Sequence, residues 1–284
     1  MTTLASLPPV SATAPVAEPP ARFGDLFAAE WIKMRSLRST AWTLVLTSLF
    51  VIGSAAVASL SHYHSQPHYS ALGQRLHLFS LRDAFPVAGY LTLMLVAGSI
   101  GAVTAVSEYS SGLIRTTMVA VPARGSVVLA KAAVLAAVWT ALGTIIATAS
   151  FAVSQSILDG WHAGFPIAHP DALRALTASA LLAPVCALIG LGLGILIRHS
   201  AATMVTSTFT LLMLPPIFSS GTHWSADVRN AMVQSAWGRL AQDGEPSPGS
   251  GFLHPTAAGS WVTYVAWPLI AIVLALVVVR YRDV

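Results

Sequence analysis

Charge is what this sequence has least of. Of its 284 residues, 15 are Lys or Arg and 11 are Asp or Glu, 9% in all, where a soluble domain carries about 25%. A water-facing surface cannot be built from so few charges, which excludes a soluble globular protein. The chain has one cysteine, Cys186, inside an apolar run; that excludes a disulfide framework and a thiolate metal site. There is no G-x-x-x-x-G-K-[ST] loop, so the chain has no Walker-type ATP site of its own. It also has no G-x-S-x-G, no H-E-x-x-H and no acid pair within an apolar run, which argues against an intramembrane enzyme. Its basic residues flank apolar stretches and do not cluster, which argues against nucleic acid as a partner.

What is abundant is apolar: 55% of residues are hydrophobic and the mean hydropathy is +0.70. A bilayer-crossing helix needs about 20 mostly apolar residues. Six segments qualify, at about 40–60, 84–106, 132–153, 175–197, 201–219 and 261–279, and none contains Asp, Glu, Lys or Arg. The fold class expected is therefore all-α integral membrane, with six transmembrane helices over residues 40–284. Only Arg198, His199 and Ser200 separate the fourth span from the fifth, predicting a tight antiparallel hairpin, and Pro215-Pro216 should break the fifth near its end. Small residues at four-residue spacing, Ala97, Gly101 and Ala105 in the second span and Gly190 and Gly194 in the fourth, predict close helix contacts.

Residues 1–21 are rich in Ala, Pro, Ser and Thr and read as a disordered tail, without the basic start and apolar core of a signal peptide. If the loops alternate sides, ten Lys and Arg fall on the side of both termini and five on the other. The positive-inside rule then puts the N- and C-termini in the cytoplasm.

Two polar stretches lie on that side. Residues 22–39, RFGDLFAAEWIKMRSLRS, place Phe23, Leu26, Phe27, Trp31, Met34 and Leu37 on one arc of a helix, predicting an interfacial amphipathic helix. Glu30 falls inside that apolar arc; it either snorkels to headgroups, with Lys33 at i+3, or faces a protein partner. Residues 107–131, SEYSSGLIRTTMVAVPARGSVVLAK, read as a short helix capped at Ser107 with Glu108 in its first turn, striped by Ile114, Met118 and Val121 and ended by Pro122. A turn at Arg124-Gly125 follows, Ser126 is placed to cap the third span, and Lys131 is expected to snorkel from one turn inside it.

These two stretches carry a resemblance. AEWIKMRSLRST before the first span, and Glu108, Gly112, Ile114, Pro122, Arg124 and Lys131 after the second, resemble the actinobacterial membrane subunits of type-2 ATP-binding-cassette (ABC) exporters. The chain departs from that pattern at Leu113, often Thr in the family, and at Ser110-Ser111, where a basic residue is common. The resemblance implies a permease subunit in the bacterial plasma membrane, working as a homodimer, or a heterodimer with a similar permease, beside a separate ABC ATPase subunit. On that reading the chain binds no cofactor and is no enzyme; ATP and Mg belong to the partner subunit. It implies that Glu30, Lys33, Glu108, Gly112, Ile114, Arg115, Pro122 and Arg124 form the ATPase-coupling surface. A non-transporting anchor or sensor subunit docking an ATPase would look the same in sequence.

On the opposite side, SHYHSQPHY brings His62, His64 and His68 together, but the spacing matches no metal-ligand pattern and a solvated loop accounts for it. Residues 225–242 read as a short amphipathic helix, either resting on the outer leaflet or shaping an outer gate. Thr92, Ser99, Thr140, Thr144, Thr206, Thr210 and Phe209 either line a route or serve contacts between helices.

Overall fold

The computed structural model describes residues 22–36, 38–65, 81–120, 123–161, 167–218, 222–241 and 256–281. The 1–21 tail, His68, Leu37, Val121, Pro122 and the loop at 243–251 lie outside the described residues. Among the described residues all regular structure is helical. The helices are α1 (Phe23–Ser36), α2 (Arg38–Ser65), α3 (Val87–Ser110), α4 (Leu113–Ala120), α5 (Arg124–Leu158), α6 (Pro170–Ile197), α7 (Ser200–Ile217), α8 (His223–Asn230), α9 (Val233–Ala241) and α10 (Ala257–Tyr281). Six of them, α2, α3, α5, α6, α7 and α10, are long and apolar enough to cross a membrane. The chain is a multi-pass membrane protein by that measure.

Helix α6 is the axis. It is the most buried of the six and packs against α3, α5, α9 and α10. In lipid there is no hydrophobic drive between helices, so packing depends on close backbone approach. The small-residue edges supply it. A Cβ on Gly190 would stand 2.0 Å from the Gly98 carbonyl oxygen, and one on Gly101 would stand 2.0 Å from that of Ala187. Helix α2 meets the bundle through a narrow stripe, Thr47, Val51, Ala55 and Ser59, and Ser59 donates to Ser154 Oγ on α5 at 2.9 Å. Its other faces expose Trp42, Leu46, Leu49, Phe50 and Val57, as lipid-facing positions do.

Several local expectations change. Helix α3 does not stop near Val106 and restart at Ser107; it runs through Ser110, and the new helix begins at Leu113. The hydroxyls of Ser110 and Ser111 turn back to the Ser107 carbonyl, and Gly112 at φ 72° then reverses the chain. Gly112→Ala is expected to destabilise the protein by about 1 kcal/mol, because only glycine holds this conformation without strain. Chemical or thermal unfolding of the purified protein measures it. Helix α5 starts at Arg124 with Ala123 at its N-cap and no side-chain cap, so Ser126 is not the cap; its amide donates to the Ala123 carbonyl. At 35 residues α5 is about 52 Å long, well beyond a hydrocarbon core of about 30 Å.

The α6–α7 hairpin turns on Arg198 at φ 58°, and the His199 ring accepts from the Ala202 amide to cap α7. Helix α7 contains a π-helical turn, Phe209–Met213, just before Pro215-Pro216. Those prolines bring no amide hydrogens to continue the ladder. Residues 225–241 form two helices, not one, and α9 neither lies on the bundle surface nor stays exposed. Val233, Ala236, Trp237 and Leu240 are buried between α6 and α10. Trp237 stacks on Tyr90 with ring centroids 5.1 Å apart and donates to Ser179 Oγ at 3.2 Å. Thr92 and Thr144 donate to carbonyls of their own helices and not across to a neighbouring helix.

Candidate functional site

One end of the bundle gathers α1, the end of α3, α4, the start of α5, the α6–α7 turn and the end of α10. The most unusual chemistry among the described residues lies there. Lys131, two turns into α5, is buried and donates from Nζ to Glu30 Oε2 at 2.5 Å and to Glu108 Oε1 at 2.8 Å. Lys33 donates to Glu30 Oε1 at 2.8 Å and to the same Glu108 Oε1 at 2.9 Å. Two carboxylates and two ammonium groups thus alternate around a closed ring that ties α1 to α3 and α5.

The local sequence explains the placement. On α1, Leu26, Phe27, Glu30, Lys33 and Met34 recur at helical spacing and form the face turned to the bundle, while Phe23, Trp31 and Ile32 stay exposed. Glu30 sits at the middle of that face and is its one buried residue. Because α3 continues past Val106, Glu108 is carried on its last turn and remains buried. Because α5 begins at Arg124, Lys131 falls inside the helix and not at its edge.

A charge out of water is tolerated when it is paired and hydrogen-bonded. Burial works against the Glu30 carboxylate, but Lys131 and then Lys33 outweigh it and hold its pKa below the ordinary carboxylate value. For Lys33, burial also works against charge, and Glu30 and Glu108 outweigh it to raise the pKa. The signs of the linkage follow. The Glu30 contribution is fully present above its unfolded-state value and lost as pH falls through the lowered one; the Lys33 contribution is fully present below its unfolded-state value and lost as pH rises through the raised one. The thermal stability of the detergent-solubilised chain is therefore expected to be flat around neutrality and to fall on acidification below the carboxylate range. Glu30→Gln should lower the plateau and shrink that acid limb, as melting curves across pH would show.

Glu108 Oε2 has no hydrogen-bond partner among the described residues. A cavity of about 10 Å³ beside it, lined also by Tyr109, Ile114, Lys131 and Ile195, is of the size of one water. One residue further along, the Arg198 guanidinium lies over the Tyr109 ring, 4.9 Å from its centroid, which ties the α6–α7 turn to the same helix end.

The structure thus brings together Glu30, Lys33 and Glu108, with Ile114 buried beside them at the start of α4. Gly112 sets the bend between α3 and α4. Arg115 lies on α4, and Arg124 is half-buried at the start of α5, outside the ring of charges. Two expectations are corrected. Lys131 does not snorkel to the surface; Glu30 makes the expected i+3 contact with Lys33, but it is turned to the inside of its own chain, where it and Lys131 neutralise each other. Lys131 was not among the coupling residues expected from sequence, nor were Tyr109 and Arg198. The available signal was the coincidence of an acid inside an apolar arc and a lysine one turn inside an apolar span.

At the opposite end, His62 Nδ1 meets Asp83 across the gap between α2 and the segment before α3, so the histidine has an acidic partner that sequence spacing did not show. The sequence matches no protein-family model and no curated protein.

Proposed function

We propose that the chain is the membrane-spanning permease subunit of an ABC exporter, and that the end of the bundle carrying α1 and α4 is its docking surface for a separate ATPase subunit. The observation that supports this most is the ring of Glu30, Lys33, Glu108 and Lys131. A buried ion-pair cluster is a poor device for stability, since well-packed apolar groups do as well or better. It is a good device for fixing one helix against two others. Helix α1, held on the outside of the bundle, thereby becomes a handle on α3 and α5.

In this reading α1 lies along the cytoplasmic membrane surface with Phe23, Trp31 and Ile32 toward lipid or partner. Both termini are cytoplasmic and the membrane is the bacterial plasma membrane. Closure of an ATPase pair pushes on α4 and α1. The push on α4 enters the bundle through buried Ile114 and the Gly112 bend, and the push on α1 enters through Glu30. Both paths converge on the ends of α3 and α5, the helices flanking the central α6. Two copies of the chain would work with two ATPase subunits, and ATP and Mg would be held by those subunits alone.

Co-expression with a candidate ABC ATPase subunit tests the reading. A stable complex whose ATP hydrolysis drives substrate export in proteoliposomes is the expected result. Glu30→Ala should lower export by about tenfold or more while the ATPase still hydrolyses ATP, because a lost contact of 1.4 kcal/mol is already a factor of ten. A complex that forms and hydrolyses ATP without moving any substrate would favour an anchoring role instead.

A further inference from the structure

Helix α1 has two apolar faces, and the bundle covers only one of them. Leu26, Phe27, Glu30, Lys33 and Met34 turn inward. At about 100° per residue, Ala28, Trp31, Ile32 and Arg35 share a second arc, and all four are exposed. Asp25, Ala29 and Ser36, also exposed, lie between the two as a narrow strip for water. One residue separates α1 from α2, so the second arc stands at the mouth of the first span, where α2 exposes Trp42, Val45 and Leu46.

Two arginines stand at this elbow. Arg35 closes the exposed arc of α1 and Arg38 opens α2. Both are exposed, and among the described residues neither forms an ion pair with a carboxylate. Three residues apart, their Cα atoms are at most about 11 Å from each other. The apolar run of the first span begins at about residue 40, so Arg38 marks the boundary between hydrocarbon and headgroups, with Arg35 about one turn further out. Exposed Trp42, just inside the span, and exposed Trp31 are of the residue type that favours the same depth. Charge decides the occupant. Two unpaired guanidinium groups beside an apolar arc match a surface that offers anions over hydrocarbon, which is a leaflet of anionic lipid. A soluble protein would reach that arc only by entering the headgroup layer. We propose that the α1–α2 elbow binds the phosphates of anionic phospholipids through Arg35 and Arg38, with Trp31 and Ile32 set into the leaflet.

The elbow site rests on the placement of α1 at the membrane surface given above, but not on the ATPase. Its test uses neither ATP nor transport, so its failure would leave the export reading standing. The full chain, purified in detergent, is titrated with phosphatidylglycerol in mixed micelles and its thermal stabilisation is followed. Phosphatidylglycerol is expected to stabilise it at concentrations at least about tenfold lower than phosphatidylcholine, which carries no net charge. Arg35→Gln and Arg38→Gln should each weaken the effect about fivefold, and together about twentyfold. Arg35→Lys combined with Arg38→Lys, which keeps both charges, should retain most of it. Arg229→Gln, exposed on α8 at the opposite end, should leave it unchanged. The proposal is overturned if the double Gln variant titrates like the wild type. It is equally overturned if Arg229→Gln weakens the effect as much, which would mean diffuse attraction to a basic chain. Inorganic phosphate stabilising as effectively as the lipid would overturn it too, by showing a free-anion site. So would a double Gln variant that keeps the lipid effect but no longer holds an ATPase subunit, since the arc would then belong to a protein partner.

Discussion

Lys131→Met is expected to cost about 3–5 kcal/mol, the largest effect of any single charge removal in this chain. Lys131 is the buried one of the two lysines that each bond both Glu30 and Glu108. Without it, two buried carboxylates share one half-exposed ammonium, that of Lys33. The cost is the desolvation of a charge left without its partner, not the worth of the pair itself. Lys131→Met combined with Glu108→Met should therefore recover about half of the loss or more, because the remaining Glu30–Lys33 pair is neutral. Thermal melting of the three proteins in one detergent measures this. A double variant no more stable than Lys131→Met alone would show that the lysine acts by shape and not by charge.

Gly101→Leu is expected to be as severe, at about 3 kcal/mol or more, for a different reason. The atoms a side chain would meet are the Ala187 carbonyl and Cα of α6, which are backbone and cannot move aside like a flexible side chain. The helices would still insert, but α3 and α6 could not reach their seam, and the bundle should elute as a heterogeneous, protease-sensitive species. Gly53→Leu is the matching control: it lies exposed on α2 with nothing within 4 Å, and should be neutral. Similar behaviour of the two variants would contradict close packing along the α3–α6 seam.

These two cases mark how far the sequence could be read. The α3–α6 seam was visible in advance, because Gly190, Gly194, Ala97 and Gly101 recur at four-residue spacing and that spacing has one geometric meaning on a helix. The six long helices were visible from hydropathy alone. The ring of charges was not. Glu30, Glu108 and Lys131 are 101 residues apart at the extreme, and no periodicity within one element reports a contact between three. Helix ends were the second blind spot. Ser107 looks like a cap because serine oxygens satisfy free amides, yet the same oxygen chemistry in Ser110 and Ser111 satisfied carbonyls at the end of α3 instead. The register of that one helix end decides whether Glu108 faces water or Lys131. Burial of α9 was hidden too, since its stripe of Val233, Ala236, Trp237 and Leu240 suits a lipid surface as well as a cleft between helices.

The central claim, that the end of the bundle built on α1 and α4 receives an ATPase subunit, is tested most directly by cross-linking. In a Cys186→Ser background, which removes the buried native thiol, single cysteines replace Arg115 on α4 and exposed Trp224 on α8 at the opposite end. Co-expressed with a candidate ABC ATPase subunit, Arg115→Cys should form a cross-link that strengthens when ATP is trapped, and Trp224→Cys should form none. No cross-link from Arg115→Cys in a complex that still assembles, or an equal one from Trp224→Cys, would contradict the account.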